Sequence, residues 1–378
     1  MKLTIPRAQL LQSLKWFHSI CQRVTSLPIL KCLRVETTPS ALMLSGTDLE
    51  LGLHQSLPVQ CPGQQTMIVP IEPVLDFIRA LSGETINWHL IANQSLAIQS
   101  GKAKATFKLA ASSEYPALPE PPTPLLFSIS ATDLEALLLE TLPAVGENDS
   151  RYVFNAIRLS LTHRAEATLE LVGTDGKRLV KTHRMTGTWL TQDKEPKTAF
   201  IPKKAGKLIA AMLSQSTEAG IGIALSSTHV GFQVGSLYLT SRLMEGSYPS
   251  IDRAIPRPSV PFFTLSKIQF AVPLRRVSVI NDGEGDSIHL TVRGRDLILN
   301  AHNVNLGEAT ETIELPEPGQ ELTVGFNTQF LLDALASMPG DQCRLQMESP
   351  HSPCLVTTPE RPEWQHVVMP LHTQAAKG

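Results

Sequence analysis

Cysteine is scarce in this 378-residue chain, and what there is forms no pattern. Cys21, Cys32, Cys61, Cys343 and Cys354 are an odd, scattered set without a CxxC pair. That argues against a disulfide framework and reads as reduced thiols in a cytosolic protein. No apolar stretch reaches the roughly 18 residues that a membrane helix needs. The first twenty residues carry Arg7 and Lys15 and lack the clean apolar run of a secretory signal. An excess of one charge is missing too. The chain has 33 Lys and Arg against 35 Asp and Glu, so bulk charge does not mark a nucleic-acid binder.

Catalytic signatures are equally absent. There is no GxxxxGK[ST], GxGxxG, GxSxG or HExxH. The eleven histidines are dispersed, with no metal-ligand spacing, and no metal or cofactor is expected. Residues 281–286, Asn-Asp-Gly-Glu-Gly-Asp, resemble a calcium loop faintly, but Val292 stands where the twelfth-position glutamate belongs. No catalytic residue is assigned.

What is present is length, local charge sorting and repetition. A chain this long fits two or three domains. Residues 257–281 hold Arg257, Lys267, Arg275 and Arg276 with no acid, and acids resume at Asp282. That pattern suits one basic and one acidic surface. A strand ending in a polar turn recurs as Leu44-Ser-Gly-Thr-Asp48, Leu171-Val-Gly-Thr-Asp175 and Leu299-Asn-Ala-His-Asn303. Asp and Asn suit such turns because their side chains bond nearby backbone amides. The equivalent placement of Asp48 and Asp175 argues for turn geometry over paired catalytic carboxylates.

A short apolar strand leading into an amphipathic helix also recurs. The helices are expected at 71–81, 203–213 and 327–337, with Leu75 and Ile78, Leu208 and Met212, and Leu331 and Leu335 on the buried stripes. Another helix opens each copy, at 7–18, 131–141 and about 266–279, where Pro273 is expected to kink or delay the third. About eight short strands complete each copy. Proline-dense linkers at 116–124 and 255–261 separate them, giving domains at 1–120, 127–252 and 262–372.

Several strings, in order along nearly the whole chain, resemble the bacterial DNA polymerase III beta subunit family, the sliding clamps. They are Ser26-Leu-Pro-Ile-Leu30, Gly46-Thr-Asp-Leu-Glu50, Arg151-Tyr-Val-Phe-Asn155, Gly173-Thr-Asp-Gly-Lys-Arg-Leu179, Ser241 to Pro249, Gly325-Phe-Asn327 and Val367-Val-Met-Pro-Leu371. The resemblance implies an α+β fold of three clamp-type domains. Two chains would close head to tail, with helices lining a hole and sheets outside. It implies a cytoplasmic, non-enzymatic processivity factor that encircles duplex DNA without reading its sequence. The implied partners are a second copy, the DNA polymerase III alpha subunit, the clamp loader and repair proteins with a clamp motif, and no membrane.

Carried over by position, the resemblance puts Arg23, Asn148 and Tyr152 near the DNA path. Lys203, Lys204 and Lys207 belong on a basic helix face there. A partner-peptide pocket would be walled by Phe154, Thr174, Gly176, Lys177, Arg178 and Leu179, with Pro249 and Arg253 from the linker. Asn327, Phe330, Val367, Met369, Pro370 and Leu371 would complete it. Phe107 and, at the other end, Val279 and Ile280 fall at apolar dimer-interface positions. Val153 replaces a second aromatic beside Tyr152, Lys177 a common histidine and Leu371 a common methionine. Two readings compete: an accessory or mobile-element clamp paralogue, which genomic neighbours would reveal, and an enzyme on a repeated β scaffold, which would need an acid/base cluster in a pocket.

Overall fold

The computed structural model describes residues 2–21, 27–61, 63–91, 95–163, 165–256, 262–281 and 287–371. The first repeat begins with β1 (Lys2–Pro6), α1 (Arg7–Cys21), β2 (Cys32–Thr38), β3 (Ala41–Thr47) and β4 (Leu51–Pro58). It continues with β5 (Gln65–Pro70), α2 (Ile71–Ala80), β6 (Thr85–Ile91), β7 (Ser95–Ser100) and β8 (Ala103–Lys108). The second holds β9 (Phe127–Ser130), α3 (Ala131–Thr141), β10 (Ala156–His163), β11 (Ala167–Thr174) and β12 (Arg178–Arg184). After these come β13 (Thr188–Trp189), β14 (Lys197–Pro202), α4 (Lys203–Leu213), β15 (Gly220–Leu225), β16 (His229–Val234) and β17 (Leu237–Arg242). The third holds β18 (Phe262–Ser266), α5 (Lys267–Val277), β19 (Ser287–Asn303) and β20 (Gly307–Asn327). It ends with α6 (Thr328–Ser337), β21 (Gln342–Gln346), β22 (Cys354–Thr357) and β23 (Gln365–Val368).

Among the described residues the first repeat has the expected eight strands, the second nine and the third six. There β19 and β20 are long and pair along two stretches, 287–292 with 322–327 and 296–303 with 307–314, with register shifts around Gly294. Pro273 does not interrupt α5. A capping box fixes the start of that helix, with the Ser266 hydroxyl on the Gln269 amide and the Gln269 side chain on the Ser266 amide. Its early termination, at Val277, is marked by Ser278, whose N–H donates to the Arg276 and Leu274 carbonyls. Among the described residues no helix is long and apolar enough to cross a membrane. All five cysteines are buried thiols.

The repetition is physical, down to single hydrogen bonds. Asp48 Oδ1 accepts from the amides of Glu50 and Leu51, Asp175 Oδ1 from Lys177 and Arg178, and Asn303 Oδ1 from Asn305 and Leu306. Leu49 and Gly176 occupy the same left-handed corner, at φ 77° and 83°. The first residue of each opening helix donates its N–H to a carbonyl just beyond the second helix: Arg7 to Glu84, Ala131 to Ala219 and Lys267 to Asp341. Two of those side chains are also committed. Arg7 donates to the carbonyls of Ile78 and Arg79 at the end of α2, and Lys267 to Met338 O at the end of α6. Cations there satisfy orphan carbonyls and favour the helix dipole. These two residues therefore act within their own repeats.

The chain folds as two compact units. The first comprises residues 1–131, 188–192 and 211–243. It holds a four-stranded sheet, β1-β6-β7-β8, and a nine-stranded sheet ordered β13-β9-β15-β16-β17-β4-β3-β2-β5. Its α1 packs on α2 and buries Leu10, Leu14 and Phe17 completely. The second comprises residues 132–187, 193–210 and 244–378. It holds the β19–β20 pair and an eight-stranded sheet ordered β14-β10-β11-β12-β23-β22-β21-β18. There α5 packs on α6 over a core that includes Phe270, Leu274, Leu331, Leu335 and Trp364.

Each large sheet joins strands of two repeats through one antiparallel seam. In the first unit β17 pairs with β4, Leu239 opposite Leu53. In the second β12 pairs with β23, Leu179 opposite Val367. The glycine of the repeated turn string is required where α3 lies against β11. A Cβ on Gly173 would stand 2.9 Å from the Thr141 carbonyl oxygen and 2.7 Å from Val145.

Candidate functional site

The β11–β12 turn and the end of β23 meet inside the second unit, at the place where the partner-peptide groove is expected. Thr174 Oγ1 donates to the Arg178 carbonyl at 2.6 Å and accepts from the Gly176 amide at 3.0 Å. Gly176 is at positive φ, and a Cβ on it would lie 2.8 Å from Arg151 Nη1. Glycine thus serves both the turn and the close approach of Arg151. Beyond β23 the chain is held by two backbone bonds, Met369 N to Lys177 O at 2.9 Å and Leu371 N to Gly325 O at 2.8 Å. These bonds carry 367–371 from β12 across to the end of β20. Asn327 Oδ1 accepts from Phe330 N and caps α6.

Arg178 is fixed from three sides. Its guanidinium binds Asp175 Oδ2 at 3.0 Å, pairs with Asp333 on α6 and sits 4.3 Å from the Phe330 ring centroid. On the opposite flank the Arg151 guanidinium lies 4.1 Å from the Phe154 centroid. Phe154 meets Tyr248 edge to face, and Tyr248 stacks on Phe200 at 5.7 Å. Burial raises the Tyr248 phenol pKa well above its ordinary value, and its hydroxyl donates to Val172 O. Tyr248, Ile251, Ala254 and Ile255 pack against Val172, Leu179, Leu355 and Val367, so the segment leading into the second linker covers this seam. Pro249 and Arg253 are exposed in this segment.

The groove residues separate by burial. Leu179, Val367 and Phe154 are buried, and so is Pro370, whereas Met369 and Leu371 are 40% and 37% exposed. The accessible apolar side chains beside a buried apolar floor are therefore Met369 and Leu371. Lys177 is exposed on the turn. Sequence reasoning missed Arg151, Asp175, Tyr248, Ile251 and Asp333 as builders of this site. Asp175 lay inside a repeated string and Arg151 inside one of the strings that carry the family resemblance. Tyr248, Ile251 and Asp333 carry no local signal of it.

A second cluster adjoins the groove through Arg151. The Asp149 carboxylate accepts from Arg151 N, Nε and Nη2 at 2.8, 2.9 and 2.8 Å. These bonds pull the Asp149 pKa down to about 2. Arg151 Nη2 also donates to Asp175 O at 3.0 Å, tying this loop to the groove turn. Asn148 adopts a left-handed φ of 58° at an exposed position, and Tyr152 is 75% exposed. Lys203 Nζ is engaged with Val145 O at 2.7 Å and Glu147 at 3.2 Å, and Lys207 reaches Glu147 at 3.4 Å. Lys204 is partly buried on the same helix turn. Arg23 lies outside the described residues.

Of the apolar end positions, Phe107 on β8 is partly buried, with its ring edge to face against Phe77 at 5.9 Å. Val279 is 77% exposed, and Ile280 packs against the core of the third repeat. The acidic loop residues 282–286 lie outside the described residues. Among the described residues no cluster of three or more His, Cys, Asp or Glu side chains is placed to hold a metal ion.

Three family models match in succession: the DNA polymerase III beta subunit N-terminal domain over residues 1–119, its central domain over 128–250 and its C-terminal domain over 252–372. The chain belongs to the DNA polymerase III beta subunit family. The beta sliding clamps of Caulobacter vibrioides and Pseudomonas aeruginosa are each 28% identical, over 98% of this chain and all of theirs. The crystal structure of the Pseudomonas aeruginosa beta subunit aligns with a TM-score of 0.91 at 26% identity, covering 99% of this chain and 100% of that one. A Bartonella birtlesii sliding clamp bound to griselimycin aligns equally well at 27% identity, with the same coverage. The beta-clamp match accounts for the threefold hydrogen-bond repetition: one domain type occurs three times in the chain.

Proposed function

We propose that this chain is the processivity clamp of a bacterial replicase, a non-catalytic subunit of the DNA polymerase III holoenzyme acting in the cytoplasm. Two copies close head to tail around duplex DNA and hold it without reading sequence. The domains span 1–120, 127–252 and 262–372. Arg23, Asn148, Tyr152, Lys203, Lys204 and Lys207 face the DNA. The groove of Leu179, Val367, Met369 and Leu371 takes extended peptide tails from the polymerase alpha subunit, the clamp loader and repair proteins.

The observation that carries the ring is a pairing rule used twice. The strand after the Asx turn pairs with the last strand of the following repeat, β4 with β17 and β12 with β23. Applying the rule once more leaves two strands over. The stretch 307–314 follows the Asn303 turn and pairs only with β19, and β8 ends the sheet of the first repeat, among the described residues. A second copy satisfies both edges by symmetry, each end of one chain meeting the other end of its mate. Phe107 on β8, with Val279 and Ile280 near the other edge, supplies apolar contact, and exposed Lys102, Lys104 and Lys108 suit the acids of 308–314. Light scattering at micromolar concentration tests this: a mass twice the 41.3 kDa of one chain is expected, and a monomer would overturn it.

A DNA ring that slides needs only diffuse attraction to phosphates, because topology supplies retention. A chain of net charge −2 meets that requirement if its cations are gathered on one face. The groove suits a peptide because it combines a buried apolar floor with exposed Met369 and Leu371 and a fixed guanidinium.

A further inference from the structure

We propose that Glu147 tunes the grip on DNA, by holding Lys203 and Lys207 in ion pairs that an incoming phosphate has to displace. The inference rests on the DNA-facing assignment above and adds to it a residue of opposite sign. Glu147 Oε2 lies 3.2 Å from Lys203 Nζ and 3.4 Å from Lys207 Nζ, and Oε1 lies 3.5 Å from Lys207. The two lysines hold the Glu147 carboxyl below its ordinary pKa, so it is charged at neutral pH.

The two lysines are not equivalent. The Lys203 side chain is 17% exposed and anchored by the Val145 carbonyl, whereas those of Lys207 and Glu147 are 54% and 63% exposed. An exposed lysine–carboxylate pair is worth little in water and opens readily. Lys207 is thus the cation a phosphate can capture, with Glu147 as its competitor.

Glu147 is not what shapes its loop. Gly146 N donates to Phe154 O at 2.7 Å, Asn155 bonds both the amide and the carbonyl of Asp149, and Lys203 holds Val145 O. All of these survive loss of the Glu147 charge. Asp149, the other acid of the loop, is already saturated by Arg151. A ring retained by topology gains nothing from tight phosphate contacts, and a movable carboxylate among lysines keeps each contact brief.

The test is fluorescence anisotropy of the full chain with a labelled duplex across a salt series, for the parent, E147Q, K207Q and the double variant. Unchanged mass and melting profile establish that each is folded. E147Q is expected to bind more tightly, with a salt slope steeper by about 0.9, so that its advantage grows roughly threefold as salt falls fourfold. K207Q is expected to bind more weakly and to remove most of the effect of E147Q. If E147Q binds like the parent while K207Q weakens binding, the role of Glu147 is refuted and the DNA-facing reading stands. If K207Q binds like the parent, the DNA-facing assignment of this turn fails and the inference falls with it.

Discussion

Leu179 and Val367 face each other across the β12–β23 ladder, although they come from different repeats. Both are almost fully buried, together with Ile251 just before the second linker. The floor of the proposed groove is therefore part of the sheet seam, while Met369 and Leu371 beside it are exposed. Floor and rim have separate energetic roles, and substitutions separate them.

Replacing Met369 and Leu371 together by Ala is expected to weaken binding of a glutamine-led peptide with two apolar anchors by about 1–3 kcal/mol. The oligomer is expected to remain intact, because Phe107, Val279 and Ile280 lie elsewhere. Fluorescence polarisation with a labelled peptide checks the first point and light scattering the second. Parent-like binding by a folded double variant would show that the peptide sits elsewhere.

Beneath the second repeat lies a buried ion pair. Arg184 Nη2 meets Glu140 Oε1 at 2.7 Å, Thr182 donates to Glu140 Oε2 at 2.6 Å, and both charged side chains are 6% exposed. Without Glu140 the buried Arg184 keeps the Asp133 carboxylate at 3.5 Å but loses its buried partner, so E140A is expected to cost up to about 3–5 kcal/mol in denaturant unfolding. Replacing both partners by apolar residues, E140L with R184M, is expected to recover most of that loss. A double variant as unstable as E140A would contradict the electrostatic explanation.

His366 gives the seam a pH dependence. It is fully buried in β23, and neither ring nitrogen has a hydrogen-bond partner. Burial, helped by the charge of Arg178, lowers its pKa from 6.5 to about 3. The native chain keeps the ring neutral while the unfolded chain protonates it below 6.5. Stability from this group is therefore lost as pH falls through that window, at up to about 1.4 kcal/mol per pH unit. H366L is expected to flatten the stability profile between about pH 6 and pH 4, measured by urea unfolding. An unchanged slope in H366L would assign the acid sensitivity to other groups.

Local features were legible in the sequence because local physics fixes them. The Asx turns at Asp48, Asp175 and Asn303 follow from side chains that bond amides two and three residues on. The amphipathic helices follow from apolar spacing, and the clamp fold from repeated strings in order. Non-local pairing was not legible. Nothing in β12 or β23 alone states that Arg178 lies opposite Val368, or that β19 and β20 run on through register shifts around Gly294. Charge was legible as composition but not as partnership. Arg7 and Lys267 stand out as cations in segments poor in acids, yet both bond helix-end carbonyls.

Retention by encirclement is measured by loading the chain with a clamp loader onto nicked circular DNA and following its release after linearisation. The chain is expected to stay on the circle through gel filtration at moderate salt and to leave once a single cut provides free ends. Direct binding to short linear duplexes is expected to be weak and strongly salt-dependent. Equal retention on circular and linear DNA, or tight sequence-selective binding to a short duplex, would contradict it.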